Sequence, residues 1–301
     1  MITTLNPASQ HFLDQLNQIE SNLNTAESQI SSGLKIMQPS DAPDSISQLL
    51  EAHADLASTQ QTLTNLGLVT TEVNAGEQAL QTATTTFDQV QTLAAEGATS
   101  TQTAAGNATL ALQVNTLLQQ FVGLADSKNA GRYIFAGDQD QSIPYTYTAA
   151  QNPPVSAYGG STSTRVTQDV NGTQFPIALT AQQIFDSPDS TTNVFTSLEA
   201  LSTALSSNNT SAIQTALNGL PAVSQYLNTQ LSFYGNVQDQ LASATTYATT
   251  VQTQQQSQVA GIQDADLSQV ILQLTQLQTQ EQAAVQSEAQ LPRQTLFSYL
   301  A

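Results

Sequence analysis

The 301-residue chain contains no cysteine, two histidines and five basic residues. Without cysteine there is no disulfide scaffold, no thiol chemistry and no cysteine-held zinc or iron–sulfur centre. His11 and His53 are too few for a histidine-based metal site or triad, and each reads as a solvated helix residue. Five Lys and Arg against 23 Asp and Glu give a net charge of −18. That removes the electrostatic footprint for nucleic acid or an anionic membrane surface. No run approaches the roughly 18 apolar residues of a membrane span, so no membrane insertion is expected. The first basic residue is Lys35, with no charged n-region and apolar run ahead of it, so no cleaved signal is expected either. Charged residues make up 9% of the chain, against about 25% in an ordinary domain. Gln and Thr take their place and make surfaces polar without charge.

Motifs that carry chemistry fail on spacing. Asp138 and Asp140 suggest a calcium loop, but counting from Asp138 the sixth and twelfth positions hold Ile143 and Ala149, where an EF-hand needs Gly and Glu. Asp264 and Asp266 lie at a break between helices with no acid–base partner nearby, and read as a cap or a turn. There is no Gly-x-Ser-x-Gly elbow and no phosphate-cradling glycine loop with lysine. The expectation is a protein that is not an enzyme and carries no cofactor.

What the chain does have is helical periodicity. Phe12, Leu16, Ile19, Leu23, Ala26 and Ile30 are spaced alternately by four and three, a narrow coiled-coil stripe rather than a broad globular face. Ser31, Ser32 and Gly33 break it, and Pro39 disfavours helix at Gln38. A second helix starts with Ser40 or Asp41 as cap, Pro43 in its first turn and Asp44 at its positive end. Its stripe runs from Ile46 through Leu66, Val73, Leu80 and Phe87 to Ala94 and stops at Gly97. Gly67 and Gly76 weaken it locally. A third helix carries Leu110, Val114, Leu117, Phe121 and Leu124 and ends near Asn129–Gly131.

Residues 132–195 differ. They hold five prolines and several glycines, a β-favouring Tyr133-Ile134-Phe135 run, and a turn at Asn171-Gly172 that predicts a hairpin of Thr164–Val170 with Gln174–Leu179. Helices resume through Val194, Leu198, Leu201 and Leu205, and again through Ile213, Leu217 and Leu220. A long stripe follows from Val237 to Ile262. After a phase slip at Gly261–Asp266 a last stripe runs through Leu267, Val270, Leu274, Leu277 and Leu291 to Leu296, Phe297 and Leu300.

The fold class is mainly α with a β-rich insertion, a long antiparallel coiled-coil-like bundle. The division is 1–40, 41–131, 132–195, 196–262 and 263–301. The chain goes out and returns, so the terminal stripes become antiparallel neighbours. Each is too narrow to be stable alone. The expectation is that the ends, roughly 1–40 and 265–301, order only among further copies.

Four segments resemble the bacterial flagellin superfamily, and within it the hook–filament junction proteins. They are Gln29–Ile36 with Pro39-Ser-Asp-Ala-Pro43, Gly131-Arg-Tyr-Ile-Phe-Ala-Gly137, Asn193–Leu198 through Leu205, and Asp264-Ala-Asp-Leu267 running to Leu296-Phe-Ser-Tyr-Leu300. Ala42 stands where the family has a second Asp. The resemblance implies a flagellin-like fold, terminal helices in an inner coiled-coil layer, and an outward-facing 132–195 region. It implies a ring of copies joining hook-associated protein 1 to flagellin. It further implies a dedicated chaperone at the C-terminal helix and passage through the flagellar type III export apparatus without cleavage, to an extracellular location. The assembly surface is then Phe12, Leu16, Ile19, Leu23, Ala26, Ile30, Leu267, Val270, Leu274, Leu277, Leu291, Leu296, Phe297 and Leu300. The alternatives are a short flagellin that builds the filament itself and an exported coiled-coil binding module. The scarcity of ion pairs adds an expectation that assembly persists at about pH 4.

Overall fold

The computed structural model of the chain describes residues 7–290. Its helices are α1 (Pro7–Ser32), α2 (Pro43–Gly97), α3 (Ala104–Ala125), α4 (Ala181–Phe185), α5 (Val194–Ser206), α6 (Thr210–Gln263) and α7 (Leu267–Gln290). A 3-10 turn at Pro39–Asp41 precedes α2. Four short strands, β1 (Lys128–Asn129), β2 (Arg132–Tyr133), β3 (Val166–Gln168) and β4 (Gln174–Pro176), form two antiparallel hairpins. The chain makes two compact units, one of residues up to Ser58 and from Gln252, the other of Thr59–Val251; α2 and α6 contribute to both.

Helix boundaries follow local chemistry. α1 ends at Ser32 and Gly33 takes φ +73°, where glycine pays no Cβ penalty. α2 starts at Pro43 and stops at Gly97, as the sequence predicts. Its start differs in detail. The Asp41 carboxylate accepts from the Met37 and Gln38 N–H groups, both at 2.9 Å, closing the turn before the helix rather than capping it. Asp266 accepts from the Ser268 and Gln269 N–H groups at 3.0 and 3.3 Å and so caps α7. α3 ends at Ala125, before the expected Asn129–Gly131, because Asp126 closes its last turn and the next residues pair as the β1–β2 hairpin.

Threonine is a weak helix former, yet these helices are rich in it. Thr64, Thr82, Thr92, Thr116, Thr229 and Thr250 each donate their hydroxyl to the carbonyl four residues back. Gln18, Gln61 and Gln214 reach Asn22, Asn65 and Asn218 one turn on. The polar surface is thus satisfied largely within its own helix, by bonds that neither titrate nor depend on salt.

In the Thr59–Val251 unit the core is aromatic at its centre. Phe87 of α2, Phe121 of α3, Phe185 of α4, Phe135 and Tyr234 of α6 form a chain of edge-to-face contacts with centroids 6.1–6.3 Å apart, a favoured geometry for such rings. Leu198, Leu201 and Leu205 of α5 are fully buried against this cluster's α3 side. The hairpin at Asn171-Gly172 forms as predicted, with Val166 opposite Pro176. Otherwise residues 132–195 hold few strands. Prolines deny the ladder its donors, and single bonds such as Ile134 N–H to Ser127 O (2.9 Å) and Ser161 N–H to Ala136 O (2.8 Å) hold the chain instead. α6 begins at Thr210 and runs through Pro221 unbroken, so the two helical stretches read separately from the sequence are one helix.

The two glycines of α2 have opposite roles. A Cβ at Gly76 meets the ring of fully buried Tyr234, with Cζ 3.1 Å away, whereas Gly67 has nothing within 4 Å. Gly76→Val is expected to destabilise this unit by about 1–3 kcal/mol through overpacking. Gly67→Ala is expected to stabilise it by about 1 kcal/mol through helix propensity. Urea denaturation of both variants checks the opposite signs.

Candidate assembly interface

α1 and α7 pack on one another, as the matching stripes predict. Of the sequence-predicted residues, Ala26 (2% exposed), Val270 and Leu277 (7% each) are buried. Phe12, Leu16, Ile19, Leu23, Ile30 and Leu274 are half-buried. Leu267, the first residue of α7, is 45% exposed. Leu291, Leu296, Phe297 and Leu300 lie outside the described residues. The stripe periodicity passes over Leu13, Ile271, Leu272 and Val285, which are 43–62% exposed. They fall between stripe positions, and their apolar character is the one signal the sequence offers. The helix pair therefore buries part of each stripe and leaves these apolar side chains exposed.

The two helix breaks meet. Gly33–Ile36, between α1 and α2, runs beside Gln263–Ala265, between α6 and α7. Lys35 N–H donates to Gln263 O at 2.7 Å and Ala265 N–H to Gly33 O at 2.9 Å, with Leu34 opposite Asp264. The Gln263 side chain lies 3.3 Å from His53 Nε2 and 3.4 Å from Ile36 O. Ile36 is 3% exposed and plugs the crossing. His53 is thus a contact at the crossing as well as a solvated residue. Gly33 turns the chain at φ +73°, Asp264 pairs with Leu34 through the backbone, and Asp266 caps α7.

In the other unit, sequence reading missed the polar ties that hold the 132–195 region. Arg165 Nη1 donates to Glu72 Oε2 of α2 at 2.9 Å, Nη2 donates to Ile134 O at 2.8 Å, and Nη2 also contacts Glu72 Oε1. Both side chains are under 20% exposed. Burial pushes the Glu72 carboxyl above its ordinary value and outweighs the guanidinium that pulls it down. Asp126 accepts from Tyr145 N–H at 3.0 Å, and burial pushes it up to about 6. The Tyr145 hydroxyl donates to Asp186 at 3.1 Å, and Asn193 Nδ2 donates to Asp186 at 2.8 Å. Glu199 is raised by burial and by Asp186.

These directions fix a pH dependence. A carboxyl raised on folding binds its proton more tightly in the folded state, so protonation favours folding. Asp126 therefore adds stability as pH falls from neutral through about 6, Glu72 and Glu199 act in the same direction, and the gain levels off near the ordinary values of 3.8 and 4.5. Asp189 is lowered by hydrogen bonds from Thr191, and its contribution is lost only below 3.8. The thermal unfolding midpoint of this unit should rise between pH 7.5 and 4.5, with the rise reduced in Asp126→Asn. A midpoint that falls over that range contradicts the assignment.

Among the described residues no group of three His, Cys, Asp or Glu is placed to hold a metal ion, and no helix is long and apolar enough to cross a membrane. The unit holding α1 and α7 thus presents two paired helices, a hydrogen-bonded crossing and exposed apolar side chains.

Residues 2–140 match the bacterial flagellin N-terminal helical region, and over most of its length the chain is similar to flagellar hook-associated proteins 3. The one from Escherichia coli K12 is 28% identical over 85% of this chain and 87% of its own length. The one from Salmonella typhimurium is 26% identical over 89% and 90%. A flagellar hook-associated protein from Vibrio parahaemolyticus shares the fold with a TM-score of 0.66, covering 74% of this chain and 100% of its own at 14% identity.

Proposed function

We propose that the chain is the structural adaptor of the hook–filament junction, joining hook-associated protein 1 to flagellin as a ring of copies. The observation that carries this is the α1–α7 pair, which buries Ala26, Val270 and Leu277 while leaving Leu13, Leu267, Ile271, Leu272 and Val285 exposed. Copies in a ring cover those faces for one another, and the apolar area removed from water offsets the ordering of the ends. The segments 1–40 and 263–301, with Leu291, Leu296, Phe297 and Leu300 completing the stripe, make the contact between copies. The segments 41–131 and 196–262 are the body and 132–195 the outward module. No catalytic step is assigned.

The chain reaches the outside of the cell through the flagellar type III export apparatus without cleavage, after a chaperone has held its C-terminal helix. A chain without disulfides, whose ends fold only on assembly, suits passage through a narrow channel. Deletion of the gene tests the reading. Hooks should persist while flagellin monomer is shed into the medium. Loss of the filament subunit itself points to a short flagellin, and an intact flagellum with a lost surface ligand points to a binding module.

A further inference from the structure

We propose that neighbouring copies of this chain meet through a second, charge-paired contact: the β1–β2 hairpin of one copy, carrying Lys128 and Arg132, seats in the groove between the β3–β4 turn and α6 of the next, at Asp169, Asp239 and Tyr247. The inference rests on the ring reading above and adds the surface that sets the lateral order of the ring.

Positive charge is scarce enough for its placement to be informative. Of the five cations, Arg165 is sealed in its pair with Glu72 and Lys35 belongs to the other unit. Lys128 and Arg132 are the exposed cations among the described residues of the Thr59–Val251 unit, and the register sets them on opposite faces of one short hairpin, Lys128 beside Tyr133 and Arg132 beside Asn129. Lys128 Nζ sits 4.2 Å over the Tyr133 ring. Arg132 reaches Asp140 at 3.4 Å while its side chain stays 57% exposed.

The opposite partner is on the same unit. A groove of about 500 Å³ is lined by Asp169, Phe175, Asp239, Ala244 and Tyr247; Asp169 Oδ1 also accepts from the Asn171 and Thr173 N–H groups of its own turn, both at 2.8 Å. Tyr247 is 46% exposed and Asp239 is exposed. An apolar trough with an aromatic face and two carboxylates suits the stem and head of a Lys or Arg side chain.

The two patches also lie at one level along the α2–α6 pair. Asn129 ties the cationic hairpin to Thr71 O of α2 at 3.0 Å. The groove begins at Asp239, next to Gln238, which donates to Asn74 Oδ1 of α2 at 3.0 Å and also to Glu77. Contact between two different patches generates a head-to-tail series of copies, which closes or climbs according to the rotation between them. A contact of the hairpin with itself sets like charges face to face. In a chain of net charge −18, lateral neighbours repel, and an opposite-charge contact fixes which surfaces approach.

The absence of cysteine makes the test direct. Two full-length chains, one with Ala130→Cys and one with Ser243→Cys, are co-expressed in a strain lacking the native gene, and isolated flagella are oxidised. A disulfide between positions 130 and 243 of different copies is expected. Lys128→Glu or Asp239→Lys alone should lower its yield at least tenfold, and the two together should restore it. Co-expressed Leu13→Cys and Ile271→Cys chains report whether copies assemble through their terminal helices. A 13–271 link without a 130–243 link overturns this inference and leaves the ring reading standing, and the absence of both overturns both. A 130–243 link indifferent to the charge changes, or a link from position 130 to a different flagellar protein, also overturns the charge pairing.

Discussion

Arg165→Met should lower the unfolding free energy of the Thr59–Val251 unit by about 3–5 kcal/mol at pH 7, the cost of leaving a buried charge without its partner. Arg165 fastens the insertion both to α2, through Glu72, and to its own chain, through Ile134 O. Removing it strands a carboxylate that burial already pushes upward. The sign of the pH dependence follows. Without the guanidinium, Glu72 takes up a proton more readily, so the deficit should shrink as pH falls from 7 to 5. The double variant Glu72→Leu with Arg165→Met should recover most of the loss, because replacing both members of a buried pair by apolar groups is often neutral or better. Urea denaturation at the two pH values measures all three. A single-variant loss below about 1 kcal/mol, typical of an exposed pair, would contradict the assignment.

The second large effect is on assembly. Ile271→Asp combined with Leu267→Asp should abolish incorporation into flagella while leaving the Thr59–Val251 unit as stable as before. Both residues are exposed in the single chain, at 51% and 45%, so the free chain has little to lose. Placed between copies, an unpaired carboxylate costs about 3 kcal/mol or more, a factor above one hundred at each contact. Sedimentation of sheared flagella with immunodetection measures incorporation, and circular dichroism of the free chain measures the fold. Normal incorporation of the doubly charged variant would remove these faces from the interface.

The parts of the fold written in local chemistry were legible. Gly33, Pro43, Gly97 and Asp266 mark helix ends in the sequence and in the structure, because caps and φ preferences act within a turn or two. The α1–α7 pairing joins distant segments, yet it was legible because each narrow stripe is itself a local periodicity that leaves one face needing a partner. What was hidden depends on distance along the chain. Glu72 and Arg165 are 93 residues apart, and neither carries a sign of its partner. Gly76 reads as a weak point in α2 until Tyr234 is seen to occupy the space above it. The insertion looked richer in strands than it is, because Tyr133-Ile134-Phe135 has the composition of a strand while Ile134 and Phe135 are buried core residues beyond a two-residue β2. Along α1 and α7 the stripe found what the helices close between themselves, and it passed over the exposed Leu13, Ile271, Leu272 and Val285, because periodicity selects the face with a partner inside the chain.

The scarcity of charge gains a structural meaning. Threonine and glutamine groups bond within their own helices, and the buried carboxyls of Glu72, Asp126 and Glu199 are held above their ordinary range. Acid therefore removes little that holds this fold and relieves some of its repulsion. Assembly is expected to persist at about pH 4, near the ordinary carboxylate values. Disassembly between pH 6 and 5 would show that ionised pairs carry the contacts.

Amide hydrogen exchange of α1 and α7, in the free full-length chain and in isolated flagella, tests the central claim most directly. These helices are held to complete their burial only among copies. Their amides should exchange rapidly in the free chain, while those of α3 and α5 stay protected, and should become strongly protected in the assembled flagellum. Equal protection of α1 and α7 in both states would contradict the account.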